Sequence, residues 1–260
     1  MLEIKSLSTY FQSDGQTIKA VDDVSFSLGQ GEVLGILGES GSGKSTVAHS
    51  ILRLIYPPGK IAAGQVLFHG RDLLKLTEEQ MIKIRGAKIS MIFQDPFASL
   101  NPVLTVGDQI AEAVQLHQGL NKKRAWVRAQ EMLDIVRIKD SGLRVKDYPH
   151  QFSGGMRQRV MIAMALACQP EILIADEPTT ALDVTIQAEI LGLLTELQQK
   201  LNLSIIYITH NFGIIKRICQ RVLVMHRGKI VEQGEVQQVF SNPEDEYTKR
   251  LIACLSVLKQ

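Results

Sequence analysis

One eight-residue stretch, Gly38–Ser45, restricts the fold of this chain more than any other part of its sequence. It reads Gly-Glu-Ser-Gly-Ser-Gly-Lys-Ser, follows the apolar run Val33–Leu37, and precedes a helical pattern that continues through Ile55. Glycines let the backbone curl so that successive N–H groups point at phosphate oxygens, and the helix start adds a favourable dipole. A strand, loop and helix of this kind predict a nucleoside triphosphate site. Taken alone, the loop also fits a glycine–serine turn that caps a helix.

Each residue type in this loop has a physical role in the predicted site. The ammonium group of Lys44 brings a full positive charge to the β and γ phosphates, and the hydroxyl of Ser45 is a ligand for Mg²⁺. The predicted nucleotide-contacting set comprises Gly38, Glu39, Ser40, Gly41, Ser42, Gly43, Lys44, Ser45 and Thr46.

Two carboxylates end a later apolar run, Ile172–Ala175. In an α/β sheet the C-terminal ends of strands carry ligand-binding residues, so Asp176 is predicted to hold Mg²⁺, directly or through water. Glu177 is predicted to polarise the attacking water as the general base. Kinases, GTPases, helicases and transport ATPases all remain open at this point, and alone the pair also fits two solvated carboxylates at a strand end.

A second anion-binding pattern lies in Phe152–Arg159, which reads Phe-Ser-Gly-Gly-Met-Arg-Gln-Arg. Ser153, Gly154 and Gly155 precede a helical pattern over Met156–Cys168, and small residues at a helix start suit an anion. One γ-phosphate does not require two such sites in one chain. The economical interpretation is a head-to-tail dimer, in which this loop of one subunit covers the nucleotide held by Gly38–Ser45 of the other.

Composition and charge narrow the class of protein further. The 260 residues are 45% hydrophobic, and 29 basic against 27 acidic side chains leave a net charge of only +2, which does not argue for nucleic-acid binding. The three scattered cysteines predict neither a disulfide framework nor a metal site, and favour a reducing, cytoplasmic setting. The N-terminus resembles no signal peptide, and the longest apolar run, Val160–Cys168, is shorter than the roughly 20 residues that span a bilayer.

Short strand-like runs alternate with longer helical patterns, which predicts a parallel sheet covered on both faces. From about Pro96 to Gln169 the pattern is helical, which indicates an inserted helical segment. The predicted strands are 2–7, 20–28, 33–37, 65–69, 88–93, 171–175, 204–209 and 221–225. The predicted helices are 77–85, 106–118, 122–136, 184–201, 212–219 and 244–258.

Over roughly Leu2 to Gly234, these motifs closely resemble the ATP-binding-cassette (ABC) ATPase family. Gln94 matches the glutamine that senses the γ-phosphate and Mg²⁺ and contacts the membrane partner. Asp183, after Ala181 and Leu182, matches the loop that crosses the dimer interface, and it also fits a helix N-cap. His210 matches the histidine that contacts the γ-phosphate. Phe11 stands where the family places an adenine-stacking aromatic, with Tyr10 as the alternative.

The resemblance implies an α/β fold: a P-loop NTPase (RecA-like) core with a mostly parallel sheet, an N-terminal antiparallel β subdomain and an inserted α-helical subdomain. One ABC ATPase domain would then fill residues 1–260. The nucleotide-binding core would comprise 1–94 and 170–240, the helical subdomain 95–169, and a short C-terminal helix 241–260.

The run Asp95–Pro102 and the C-terminal Tyr247–Leu251 resemble the subfamily that serves oligopeptide, dipeptide and nickel importers. Glu244–Glu246 departs from its usual His-Pro, and Asn211 stands where Asp is commoner. With Cys254 the one cysteine of this tail, we predict no iron–sulfur cluster, and the short tail predicts no regulatory domain. The resemblance implies ATP and Mg²⁺ as cofactors, and a peripheral position on the cytoplasmic face of the inner or plasma membrane. The implied partners are transmembrane permease subunits, a second ATP-binding subunit (identical or different) and, indirectly, an extracytoplasmic substrate-binding protein, with no nucleic acid.

Two rival functions belong to other classes. A soluble ABC ATPase of DNA repair or translation usually has two cassettes or a long coiled-coil insertion, and this chain has one cassette with a single helical insertion. A degenerate, non-hydrolysing cassette would lack catalytic positions, whereas Glu177 and His210 are present. The transported substrate and the direction of transport are not encoded in this chain, and peptide, nickel and export of antimicrobial peptides stay open.

Overall fold

A computed structural model of the chain describes residues 1–13, 15–180 and 182–257. Its strands are β1 (Leu2–Ser13), β2 (Gln16–Leu28), β3 (Val33–Leu37), β4 (Gly59–Phe68), β5 (Arg71–Asp72), β6 (Ile89–Ile92), β7 (Ile172–Asp176), β8 (Ser204–Thr209), β9 (Arg221–His226) and β10 (Lys229–Glu235). Its α-helices are α1 (Lys44–Ile51), α2 (Glu78–Ile82), α3 (Pro96–Ser99), α4 (Val106–Gln118), α5 (Lys122–Ile135), α6 (Ser141–Arg144), α7 (Gly154–Leu166), α8 (Val184–Leu201), α9 (Phe212–Ile218), α10 (Val236–Ser241) and α11 (Glu246–Val257).

The chain divides into two compact units. The first contains Met1–Thr77 and Ser204–Gln260, and the second contains Glu78–Leu203. The second unit is wider than the predicted helical segment 95–169 because it also includes the paired strands β6 and β7. The domain boundaries given above stay a prediction.

The first unit contains an antiparallel sheet with the strand order β2-β1-β4-β5. Leu2 pairs with Leu28 and Ile4 with Phe26, and all four side chains are buried, so alternate positions of β1 and β2 fill the core. Both strands are longer than predicted, since they continue as a hairpin through Ser13 and from Gln16. That continuation is mostly polar, with Ser8 and Thr9 buried and its far end exposed, and for this reason the hydrophobic pattern missed it.

The same unit also contains a second group of strands in the order β10-β9-β3-β8. Strand β3 is parallel to both β8 and β9, while β9 and β10 are antiparallel. Every residue of β3 and β8 is buried, as expected of central strands whose two faces are both covered. Strand β10 and helix α10 escaped the sequence analysis because β10 is only partly buried and α10 is short.

The second unit packs helices around the parallel pair β6 and β7, in which Ile89 lies opposite Ile172. Helix α7 contacts α4, α5 and α8, and its buried face is almost entirely apolar. Helices α4 and α8 have the predicted bounds, because each has a side-chain cap at its start and a left-handed residue after its end. Several boundaries were wrong by more than one residue: α7 spans Gly154–Leu166 rather than Met156–Cys168, α1 ends at Ile51 rather than Ile55, β4 begins at Gly59 rather than Gln65, and α2 ends at Ile82 rather than Arg85.

Helix α11 lies within the predicted segment 244–258, of which residue 258 is outside the described residues. The two cysteines whose side chains are described, Cys168 and Cys219, are free thiols. Over the described ranges, the chain has no helix that is both long and apolar enough to cross a membrane. The antiparallel sheet, the parallel strands and the helical segment agree with the α/β class predicted from sequence.

The cap of α4 gives a test of this local structure. The hydroxyl of Thr105 accepts a hydrogen bond from the Asp108 amide at 3.1 Å and donates one to the Asp108 carboxylate at 2.7 Å. Thr105→Ala should lower the free energy of unfolding by about 1 kcal/mol, measured by urea titration. Thr105→Ser keeps the hydroxyl and should behave as the wild type. Equal stability of the alanine and serine variants would contradict the role of this cap.

Candidate nucleotide site

The loop Gly38–Ser45 joins β3 to α1 within the first unit, and its lysine is enclosed by the loop itself. The side chain of Lys44 is 5% exposed. Its Nζ donates to the carbonyl oxygens of Gly38 at 2.8 Å and Glu39 at 2.7 Å. A buried ammonium group needs such partners, since an isolated charge in the interior is strongly unfavourable. The loop therefore folds around a cation.

The start of α1 is suited to an anion. Gly43 is the N-cap and has φ +102°, so no side chain caps the helix, and no acidic residue lies in the first turn. A Cβ at this position would lie 2.1 Å from the carbonyl oxygen of Ala20, which only glycine avoids. The positive end of α1 thus coincides with the Lys44 charge, an arrangement that favours a negatively charged ligand.

The hydroxyl of Ser42 also indicates a ligand at this loop. The residue is 4% exposed, and its Oγ has no hydrogen-bond partner among the described residues. A buried hydroxyl without a partner costs about 1–3 kcal/mol, so such groups usually mark a place where a ligand or water completes the structure. The triphosphate oxygens predicted for this loop would supply that partner.

In the second unit, the structure brings together two of the predicted catalytic side chains. Glu177 follows β7, and its Oε2 accepts hydrogen bonds from Gln94 Nε2 at 3.4 Å and from the Thr180 hydroxyl at 2.9 Å. Glu177 also has φ +45°, an unfavourable conformation for a residue with a side chain. Asp176 is the last residue of β7 and is 3% exposed. Strand β7 thus ends in a buried carboxylate followed by a strained, oriented one.

The start of α7 carries the second predicted anion-binding group. The Ser153 hydroxyl caps the helix by accepting from the Met156 amide at 3.3 Å, and the first turn contains no acidic residue. A Cβ added to Gly155 would lie 2.6 Å from Ile186 in α8, so close helix packing requires this glycine. A Cβ added to Gly154 would meet its nearest atom at an ordinary 3.6 Å. Packing of the chain therefore does not explain Gly154.

Two further predicted residues are Asp183, at the start of α8, and His210, next to the residue that caps α9. Asp183 caps α8 through a 2.9 Å hydrogen bond from the Ile186 amide, as the sequence predicted, and its side chain is exposed. Ala181 of the same loop is outside the described residues. In the first unit, His210 is exposed directly after β8, and Asn211 caps α9 by accepting from the Gly213 amide at 2.9 Å. Asn211 therefore supplies the acceptor oxygen that an Asp would provide.

The two aromatic candidates for nucleotide stacking differ in their surroundings. The Tyr10 hydroxyl donates to Asp22 at 3.0 Å, and the Lys19 ammonium lies 5.4 Å from the Tyr10 ring centroid. The half-buried Phe11 ring lies against Gly59, where an added Cβ would be 2.5 Å from its Cε1. Tyr10 is thus held by polar contacts within its hairpin, whereas Phe11 has only an apolar ring to offer a ligand.

Sequence reasoning missed two residues at these sites. Thr180, which orients Glu177, carried no predicted role. Tyr247 of α11 accepts a hydrogen bond from the Glu39 amide of the loop at 3.3 Å. Thr180 could have been found from its position three residues after the predicted catalytic carboxylate, since such spacing permits a turn. The second contact joins residues 208 positions apart, and no local pattern predicts it.

The two glycines of α7 should respond differently to the same substitution. Gly155→Ala forces Ile186 to move, so we expect the free energy of unfolding to fall by about 1–3 kcal/mol. Gly154→Ala should leave it unchanged or slightly higher, because alanine favours helix and has room here. Urea titration of both variants measures the difference. Equal losses would show that packing requires both glycines.

The similarities to known proteins agree with this arrangement. A family model described as ABC transporter matches residues 21–180. The chain is 52% identical over 253 residues to a probable peptide ABC transporter ATP-binding protein of Sinorhizobium fredii, a match covering 97% of this chain and 76% of that protein. It is 50% identical over 260 residues to the oligopeptide transport ATP-binding protein OppD of Bacillus subtilis, a match covering 100% and 73% respectively.

Solved structures of ABC cassettes are also similar to this chain. The dimeric ATP-binding cassette MJ0796, in a post-hydrolysis state bound to ADP and Pi, matches with a TM-score of 0.81 at 28% identity, covering 91% of this chain and 99% of that chain. The cbiO1 structure from Clostridium perfringens, part of the ABC transporter complex cbiONQ, matches with a TM-score of 0.79 at 29% identity, covering 100% and 98%. These similarities confirm the fold class predicted from sequence. The chain belongs to the ABC transporter family, as an ATP-binding subunit that hydrolyses ATP.

Proposed function

We propose that this chain powers peptide uptake by binding and hydrolysing ATP between two cassette subunits. The observation that carries the proposal is the pair of helix starts described above. The start of α1 has an enclosed lysine and a buried hydroxyl without a partner, and the start of α7 has a glycine that packing does not require. The peptide class follows from the relatives named for peptide and oligopeptide transport.

ATP would bind with its phosphates against the loop. The phosphate oxygens would be held by the start of α1, with Thr46 beside them, and by N–H groups of Gly38–Ser45 other than those of Glu39 and Ser42, which donate to Tyr247 and to the Glu39 carbonyl. Lys44 would exchange its two carbonyl partners for the β and γ phosphates, and the Ser42 hydroxyl would gain an acceptor. The Phe11 ring would stack on adenine, because it has an apolar face and no polar partner to lose.

The predicted Mg²⁺ ligands fit the chemistry of that ion. Ser45, Gln94 and Asp176 offer hard oxygen donors, and Mg²⁺ is usually held by one or two carboxylates together with substrate phosphates and water. No cluster of three or more His, Cys, Asp or Glu in the described ranges could hold a metal by itself, which agrees with an ion that is bound together with ATP. Bound Mg²⁺ would neutralise the charge that develops on the phosphates.

Hydrolysis would depend on Glu177 as the general base for water. The hydrogen bonds from Gln94 and Thr180 fix its carboxylate, so that an acceptor oxygen has a defined direction. The amide nitrogen of Gln94 donates the hydrogen bond to Glu177, so its amide oxygen would be the atom that binds the cation. His210, exposed after β8, would contact the γ-phosphate.

The second cassette subunit would complete the site. Its Ser153, Gly154 and Gly155 would place the positive end of α7 against the γ-phosphate, and Asp183 would lie at the subunit interface. Closure of the two subunits around ATP would exclude water and strengthen every charge contact with the phosphates. We propose that transmembrane permease subunits receive this motion at the cytoplasmic face of the membrane, and that an extracytoplasmic binding protein delivers the peptide to them.

The variant Glu177→Gln tests this function directly. Glutamine can still accept from Thr180 but cannot take a proton, so we expect hydrolysis to fall by about 10²- to 10⁴-fold while ATP holds a stable dimer. Phosphate release and size-exclusion chromatography with ATP measure the two effects. A strain that carries only this variant should take up no labelled peptide.

Glu112→Gln is the matched control, since Glu112 is exposed on α4 of the same unit. It should hydrolyse ATP and support uptake as the wild type does. Hydrolysis by Glu177→Gln at the wild-type rate would remove Glu177 from its role. Loss of Ni²⁺ uptake with unchanged peptide uptake would contradict the peptide assignment.

A further inference from the structure

The start of α11 is held in place by two acidic side chains. The Asp245 carboxylate accepts from the amides of Tyr247 at 2.8 Å and Thr248 at 3.2 Å. The Glu232 carboxylate of β10 accepts from the amides of Glu244 at 2.9 Å and Asp245 at 3.2 Å. The unusual Glu244–Glu246 run thus includes the acceptor that caps α11. The first turn of this helix is fixed to the sheet of its own unit.

This anchored turn directs Tyr247 into the first unit. The residue is 8% exposed and belongs to a buried apolar cluster with residues of β3, α9, β9 and α10. Its ring stacks on His226 at the end of β9, with centroids 3.9 Å apart and planes inclined by 29°. The hydroxyl oxygen accepts the hydrogen bond from the Glu39 amide at 3.3 Å.

Glu39 connects Tyr247 to Lys44 within the loop Gly38–Ser45. Its N–H donates to Tyr247, and its C=O accepts from Lys44 Nζ at 2.7 Å. One residue therefore joins α11 to the lysine that would bind the β and γ phosphates. We propose that Tyr247 is a positioning residue for ATP binding, which holds the loop in its binding conformation through the backbone of Glu39. The inference rests on the phosphate-binding role proposed above for Gly38–Ser45.

Two physical considerations favour this role. A glycine-rich loop gains much conformational entropy when released, and a contact that restrains it before binding lowers the entropy lost on binding. Burial raises the pKa of the Tyr247 hydroxyl, so the group stays neutral at physiological pH and its oxygen remains an ordinary acceptor. The ring packing and the hydroxyl contact are separable, because phenylalanine keeps the first and loses the second.

The test compares Tyr247→Phe with Tyr56→Phe in the full chain. Tyr56 is 71% exposed in the same unit, so its variant controls for the loss of a tyrosine hydroxyl. Removing one restraining hydrogen bond should raise the KM for ATP and the Kd from calorimetry by about fivefold in Tyr247→Phe, with kcat within about twofold of wild type. The Tyr56 variant should match the wild type in all three.

A purely structural role gives a different pattern. Partial unfolding of Tyr247→Phe would lower the active fraction and the apparent kcat but leave KM unchanged, and that result would overturn the proposal. An unchanged or tighter Kd would overturn it as well. If the variant does not fold, Asp245→Ala loosens the same turn and should weaken ATP about two- to threefold; wild-type affinity there would refute the inference.

Lys44→Ala separates this inference from the function on which it rests. It should abolish measurable ATP binding, because it removes the charge enclosed by the loop. If Lys44→Ala binds ATP normally, the proposed role of the loop fails. If Lys44→Ala loses ATP while Tyr247→Phe binds it as the wild type does, only the role of Tyr247 fails.

Discussion

The enclosed ammonium group of Lys44 is the interaction on which the rest of the site depends. Its charge lies at the positive end of α1, a place where a cation is normally unfavourable. Two loop carbonyls compensate for that position by accepting hydrogen bonds from the ammonium group, and they hold the loop around it. A bound triphosphate would stabilise the Lys44 charge more strongly than the two carbonyls do. This difference favours ATP binding without any large rearrangement of the loop.

The two units need glycine at their helix starts for different physical reasons. In the first, glycine at position 43 is required by backbone geometry, since its φ is +102° and Ala20 leaves no room for a side chain. In the second, Gly155 is required by contact with Ile186, whereas Gly154 has no such constraint. A glycine that neither backbone strain nor packing demands is best explained by the approach of something outside the chain. A nucleotide held by a second subunit provides that explanation for Gly154.

Much of this could be predicted from sequence, because the essential signals are local. The loop Gly38–Ser45, the carboxylates at the end of β7 and the caps at Thr105 and Asp183 all lie within a few residues of the element that positions them. The hairpin beyond residue 7 and strand β10 were missed because polar or partly exposed strands lack alternation. The contact of Tyr247 with Glu39 could not be predicted, since it depends on how β9, β10 and α11 pack around one another.

Mixing two inactive variants tests the central claim most directly. Lys44→Ala removes the positive charge of the loop Gly38–Ser45, and Gly154→Asp places a negative charge at the start of α7. Neither variant alone should therefore hydrolyse ATP. Combined in equal amounts, they can form pairs in which the intact loop of one chain meets the intact α7 start of the other. If the site is shared between two chains, we expect activity to recover to about a quarter of the wild-type value. No recovery above the separate variants would contradict a site that two copies of this chain share.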